Sequence, residues 1–159
     1  MAITYEPIAT TTLSSAQSSV TFSSIPGTYT DLILIANVVA SSLTYISGRV
    51  NGDTAGNYSS TYIDGSGTSA SSGRTTNATS YGSARTNPDS VTIIQYMNYS
   101  NTTTYKSILE RISTAGSGVN AWAATWRNTA AITSITLFTD SANNWSSGST
   151  FTLYGIKAA

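Results

Sequence analysis

Hydrophobic and polar residues alternate with a period of two along much of the chain, a pattern that predicts β-strands. In the segment 90–99, Val91 and Ile93 share one face while Ile94 and Tyr96 share the other, so both faces carry large side chains. We therefore expect this strand to lie between two contacts. No segment repeats apolar residues convincingly at helical spacing, so the sequence predicts no amphipathic helix.

Clusters of Gly, Pro, Asn and Ser divide this pattern into ten short strands. They are predicted at residues 4–13, 19–23, 31–39, 44–50, 58–63, 90–99, 104–112, 119–127, 131–140 and 149–157. Asn51-Gly52 is a strong hairpin signal and would join the strand ending at Val50 to the segment leading into Tyr58. Ten strands close most naturally as two packed sheets. The predicted fold is therefore all-β, an antiparallel β-sandwich of jelly-roll-like type.

Residues 64–89 form the one long segment without strand alternation. Gly, Ser, Thr and Asn dominate it, and Tyr81 is its one large apolar side chain. Long loops in compact domains are usually functional or disordered, so we predict a polar loop that is either mobile or ordered by a neighbouring subunit. The whole chain, residues 1–159, is predicted to form a single β-sandwich domain that includes this loop.

The composition narrows the range of functions. The chain has no His and no Cys, 9% charged residues and balanced charge, while Ser and Thr make up about a third. Without a basic patch we expect no nucleic-acid partner and no anionic membrane partner. Without His or Cys we expect no zinc site, and the sequence gives no reason to expect a cofactor. Binding or assembly is therefore favoured over catalysis.

One catalytic alternative remains after these exclusions. Glycoside hydrolysis needs only two carboxylates about 5–10 Å apart, and Asp53 with Asp64 is the pair nearest a loop region. Both residues also fit ordinary roles, since Asp53 follows the Asn51-Gly52 turn and Asp64 ends a predicted strand. The turn roles are the favoured interpretation, and we predict no catalytic, cofactor-binding or metal-binding residue.

Tyrosine and tryptophan are the remaining residues suited to recognition, because they combine large apolar area with a polar group. Trp122 and Trp126 share a strand face, and we expect Trp122 to pack in the core. Trp145 lies in a polar loop, where it either contacts another subunit or anchors the loop. We take the following residues as interface candidates: Tyr5, Pro7, Tyr58, Tyr62, Tyr81 and Trp145.

The N-terminal residues lack both a basic region and a continuous apolar run, so we expect no secretory signal and synthesis in the cytoplasm. The longest apolar run, residues 32–40, is interrupted by Asn37 and is too short to span a membrane as a helix. A nearly neutral polar surface does little to prevent self-association. These features favour a chain that functions as an oligomer.

Several strings in the chain resemble a family of small virion structural proteins of tailed bacteriophages, including phages of cyanobacteria. They are YEPIATTTL at 5–13, SSVTFSSIPGTYTDL at 18–32, NGD at 51–53, NYSS at 57–60 and FTLYGIK at 151–157. The resemblance spans most of the chain and is weakest over residues 65–89. Its motifs are turns and strands, so it transfers no catalytic or binding residue.

The resemblance implies a virion component, for which three roles stay open. The first is a capsid decoration (cement) protein on the capsid surface, a homo-oligomer expected to be a trimer, that binds the major capsid protein and stabilises the shell. The second is a tail-fibre or receptor-binding module that recognises host glycans. The third is a small carbohydrate-active enzyme, which the residue inventory disfavours. The lack of a fibre-like or coiled-coil segment favours the first role.

Overall fold

The computed structural model describes residues 4–86, 89–114, 118–140 and 142–157, and every extended regular element within these ranges is a β-strand. The strands are β1 (Tyr5–Thr12), β2 (Ser19–Phe22), β3 (Asp31–Val39), β4 (Thr44–Val50), β5 (Tyr58–Gly65), β6 (Ala70–Ala78), β7 (Tyr81–Thr86), β8 (Asp89–Met97), β9 (Lys106–Thr114), β10 (Gly118–Trp126), β11 (Ile135–Phe138) and β12 (Thr150–Ile156). The all-β prediction is confirmed. A search of the described ranges finds no helix long and apolar enough to cross a membrane.

The strands form two antiparallel sheets of unequal size. The larger sheet has eight strands in the order β1-β12-β3-β8-β9-β10-β5-β6, and the smaller has four in the order β2-β11-β4-β7. Their inner faces share one apolar core, to which the larger sheet contributes Leu34 and Ile94 and the smaller contributes Val50 and Ile135. The arrangement is a β-sandwich, although eight strands facing four differ from the two equal sheets expected of a simple jelly roll.

Buried aromatic rings connect the two sheets within this core. Tyr81 of the smaller sheet lies 6.0 Å, centroid to centroid, from Tyr58 and from Tyr96 of the larger sheet. The hydroxyl groups of Tyr81 and Tyr96 are hydrogen-bonded at 2.5 Å. The Tyr58 hydroxyl accepts a hydrogen bond from the backbone N–H of Val50 at 3.0 Å. The phenol groups therefore satisfy one another and the backbone, as buried polar atoms require.

The predicted long loop at residues 64–89 is wrong, because β6 and β7 lie within it. β6 is an edge strand, and most of its side chains are exposed, so it shows no apolar alternation and is held through its backbone pairing with β5. β7 is the edge of the smaller sheet and buries Tyr81. Alternation of apolar and polar residues reveals strands with one buried face, so it does not predict β6 or β7 reliably.

The predicted hairpin at Asn51-Gly52 is also wrong, although the turn itself forms. Asn51 and Gly52 both adopt positive φ, 53° and 65°, and the N–H of Asp53 donates to the carbonyl of Val50 at 3.0 Å. However, β4 pairs with β11 and β7, whereas β5 pairs with β10 and β6. With both edges of β4 occupied, the turn carries the chain from the smaller sheet to the larger one.

Candidate functional site

Three of the six interface candidates lie in the core. Tyr58, Tyr81 and Trp145 are each at most 1% exposed. The Trp145 ring packs against Phe151 at a centroid distance of 4.8 Å, and its backbone pairs with Gln17. Direct surface contacts by these side chains are therefore excluded, and the loop-anchoring alternative for Trp145 is the one that the structure supports.

The other three candidates reach the surface in two different places. Tyr5, 54% exposed, and Pro7, also exposed, lie on β1 at one edge of the larger sheet. Both face away from the smaller sheet. Tyr62 is half-buried on β5, on the side that faces inward. The candidates therefore do not form one surface.

Asp53 and Asp64 do not form a catalytic pair. Asp53 accepts hydrogen bonds from the Trp126 indole at 2.7 Å and from the Asn57 amide at 2.8 Å, while Asp64 accepts one from Asn120. Trp126 and Asn120 are six residues apart along β10, which separates the two carboxylates by about 20 Å. That is beyond the reach of a glycosidase mechanism using both groups.

The hydrogen bonds of Asp53 also give it a structural role. Burial raises the pKa of this carboxyl, but hydrogen bonds from Asn57, Trp126 and the backbone of Ala55 outweigh burial and lower the pKa below its usual value. The ionised group therefore secures the turn before β5.

The outer face of the larger sheet, which we define as the face turned away from the smaller sheet, is rich in apolar side chains. Ile63, Val91 and Val119 are 63%, 45% and 57% exposed. Partly exposed neighbours on the same face are Ile35, Ile93, Met97, Leu109, Ala121 and Tyr154. Apolar residues scattered singly over a surface are normal, but a contiguous patch marks an interaction site. The sequence predicted large side chains on both faces of β8. One face packs in the core, and the other contributes to this patch.

A shallow groove of about 910 Å³ crosses this outer face over β5, β8, β9 and β10. Ile63, Val91, Ile93 and Val119 line it, together with the exposed Arg111. Eight strands at about 4.8 Å spacing and about 25 Å length give the face roughly 1,000 Å². That area is enough for the roughly 800 Å² that one partner contributes to a standard protein interface.

A second concave feature lies on the opposite side of the larger sheet. Here residues of β5, β6 and β10 and residues of the smaller sheet border a cleft of about 260 Å³. The larger sheet contributes the facing pairs Tyr62–Trp122 and Asp64–Asn120. Tyr45 and Ser83 line the cleft from the smaller sheet. We call this feature the inter-sheet cleft.

Both pairs in the inter-sheet cleft are in direct contact. The Tyr62 and Trp122 rings lie 4.5 Å apart, centroid to centroid, with a 30° tilt. The Tyr62 ring lies close to Gly73 of β6, where an added Cβ would come within 2.6 Å of it. Glycine at this position thus leaves room for the ring. Trp122 was predicted to be a core residue, but it is half-buried at the cleft wall.

Glu110 is a buried carboxyl that sequence reasoning did not single out. It is 2% exposed on β9, and neither of its oxygens has a hydrogen-bond partner among the described residues. Burial, with a further contribution from the negative charge of Asp140, raises the pKa of Glu110 to about 8. The carboxyl lies against Gly82, whose missing side chain leaves it space. Glu110 is therefore protonated at neutral pH.

Within the described ranges, no group of three or more His, Cys, Asp or Glu side chains could hold a metal ion. The outer face and the inter-sheet cleft are two features of the described residues whose shape and residue content suit binding. Comparison of the chain with protein-family models, curated proteins and solved structures found no match.

Proposed function

We propose that the chain is a virion structural protein of a tailed bacteriophage, a capsid decoration protein that binds and stabilises the shell of the major capsid protein. The observation that carries this proposal is the apolar outer face of the larger sheet. A side chain such as Ile63, 63% exposed on a regular strand, gains from being covered by a partner. The phage-like strings of the sequence indicate which kind of partner that is.

Two further properties support docking on a repetitive shell. The seven basic and seven acidic residues balance, so neighbouring copies bound to one shell would not repel each other strongly. We propose that copies of the chain also contact one another at the N-terminal edge of the larger sheet, where Tyr5 and Pro7 lie, as in a homo-oligomer such as a trimer, while the outer face binds the capsid protein.

Charge placed on the outer face tests this proposal. In the double variant Ile63→Lys/Val119→Lys, two ammonium groups would have to be buried against apolar surface. We expect binding to shells of the major capsid protein to weaken by at least ~100-fold. Co-sedimentation with purified shells measures this effect, and wild-type binding should depend only weakly on salt.

The matched control is Leu43→Lys/Tyr105→Lys, which adds the same charge at exposed residues of two loops. It should bind shells as the wild type does, and both variants should keep the wild-type circular dichroism spectrum. Equal binding by the outer-face variant and the wild type would show that this face is not the docking surface. Failure of the wild type to bind any shell would reject the function itself.

A further inference from the structure

We propose that the inter-sheet cleft binds a single neutral sugar unit of a glycan. The cleft shares Asp64, Ser71 and Asn120 with the lining of the outer-face groove. Its aromatic pair and its residues from the smaller sheet do not line that groove, so the two features open on opposite sides of the larger sheet. The cleft would give the chain a second binding activity that does not depend on docking to a capsid. It also gives the receptor-binding alternative a defined location.

The aromatic pair provides a stacking surface. The C–H groups on one face of a pyranose ring carry partial positive charge, and the faces of aromatic rings carry partial negative charge, so the two attract each other. Tyr62 and Trp122 contact each other and both line the cleft. Their positions are fixed by strand pairing between β5 and β10 and by the space at Gly73. The surface is therefore largely formed before a ligand arrives.

A polar pair lies two residues farther along the same strands. The Asn120 amide donates a hydrogen bond to the Asp64 carboxylate, which orients both planar groups. A carboxylate accepts hydrogen bonds at several positions, and an amide both donates and accepts, so together they match the neighbouring hydroxyl groups of a sugar. Aromatic contact beside a few convergent polar groups is the usual composition of a small-ligand site.

The charge and size of the cleft restrict the ligand. No Lys or Arg is among its described lining residues, and Asp64 contributes a carboxylate. Among the described side chains, no cation offsets the repulsion that an acidic sugar or a phosphate would meet at Asp64. The volume of about 260 Å³ is below the range of drug-sized sites. A neutral hexose or N-acetylhexosamine unit fits these limits best.

Titration of the protein with methyl glycosides of glucose, galactose, mannose and N-acetylglucosamine tests the proposal. Saturation-transfer NMR and calorimetry should detect at least one of them, with a Kd on the order of 1 mM. We expect Tyr62→Ala to weaken that binding by at least ~10-fold through lost stacking. Asn120→Ala should weaken it by at least ~10-fold through lost hydrogen bonds.

Three control variants separate a loss of sugar binding from a loss of folding and from a loss of capsid docking. Tyr62→Phe retains the ring and should bind within about 3-fold of wild type, which separates stacking from a loss of folding. Tyr105→Ala removes a tyrosine that is 58% exposed outside the cleft and should bind as the wild type does. The outer-face variant Ile63→Lys/Val119→Lys should also retain sugar binding, so failure of capsid docking and failure of this site are distinguishable.

The proposal is overturned if the wild type binds none of the four glycosides at about 50 mM, well above the expected Kd. It is likewise overturned if folded Tyr62→Ala binds as tightly as the wild type. Tighter binding of a sialic acid glycoside than of any neutral one would contradict the assignment of a neutral ligand.

Discussion

Replacing Trp145 by alanine is expected to lower the free energy of unfolding by about 3–5 kcal/mol. The side chain is fully buried and packs against Phe151, so its removal leaves a large cavity in the core. In a domain of this size the melting temperature should fall by roughly 10 °C. Urea denaturation at a fixed protein concentration measures the change, since association would make the midpoint depend on concentration.

Two substitutions complete the Trp145 experiment. Trp145→Phe keeps much of the volume and removes an indole N–H that has no partner among the described residues, so it should cost less than half as much. Tyr105→Ala, at an exposed site, should stay within about 0.5 kcal/mol of wild type. An unchanged unfolding midpoint for Trp145→Ala would show that this side chain does not anchor the loop to the core as its burial and its contact with Phe151 indicate.

Glu110 is expected to make the stability of the fold depend strongly on pH. The ordinary pKa of its carboxyl is 4.5, and burial raises it to about 8 in the folded chain. Between these values the unfolded chain loses the proton while the folded chain keeps it, so the free energy of unfolding falls as the pH rises. The full effect is about 5 kcal/mol, present below pH 4.5 and lost by pH 8.

Glu110→Gln supplies the matched comparison, because glutamine has nearly the same shape and does not titrate. Urea unfolding of both proteins from pH 4.5 to pH 8.5 should show the wild type losing stability relative to the variant. The chain has no His, so few other groups titrate in this interval. Parallel pH profiles for the two proteins would mean that Glu110 is not held protonated in the fold.

The strands that sequence reasoning located best are those with one buried face. β3 and β4 have the bounds that alternation predicted, 31–39 and 44–50. β11 is shorter than predicted, Ile135–Phe138 instead of 131–140. The missed strands β6 and β7 are edge strands with sequences rich in Ser, Thr and Gly that show no apolar alternation, whereas the edge strand β2 alternates Val20 and Phe22 with polar residues and was predicted.

The inter-sheet cleft left a partial trace in the sequence. An aromatic and a polar residue are two positions apart at Tyr62 and Asp64, and again at Asn120 and Trp122. Such spacing places each set on one strand face. In the structure, β5 and β10 pair these residues, which are 60 or nearly 60 positions apart in the chain. No local sequence pattern specifies that pairing. The polar neighbours of Trp145 in the sequence left intersubunit contact and loop anchoring equally open, and its burial against Phe151 supports loop anchoring.

The burial of Glu110 was also beyond what the sequence pattern could predict. Alternation places it on the same strand face as Ile108 and Ile112, and the structure confirms that this face is buried. A glutamate there ordinarily argues against burial. Only the packed position of Gly82 from β7 shows how the carboxyl is accommodated. The stability of the fold should therefore depend on pH near neutrality, because Glu110 titrates there in the folded chain.

Counting copies of the chain in purified virions is the most direct test of its proposed role. A decoration protein repeats over the whole symmetric shell, so quantitative mass spectrometry against the major capsid protein should find on the order of hundreds of copies per particle. A tail-fibre or receptor-binding module would be present in a few to a few dozen copies. A count in that lower range, or the absence of the chain from virions, would contradict the capsid decoration role.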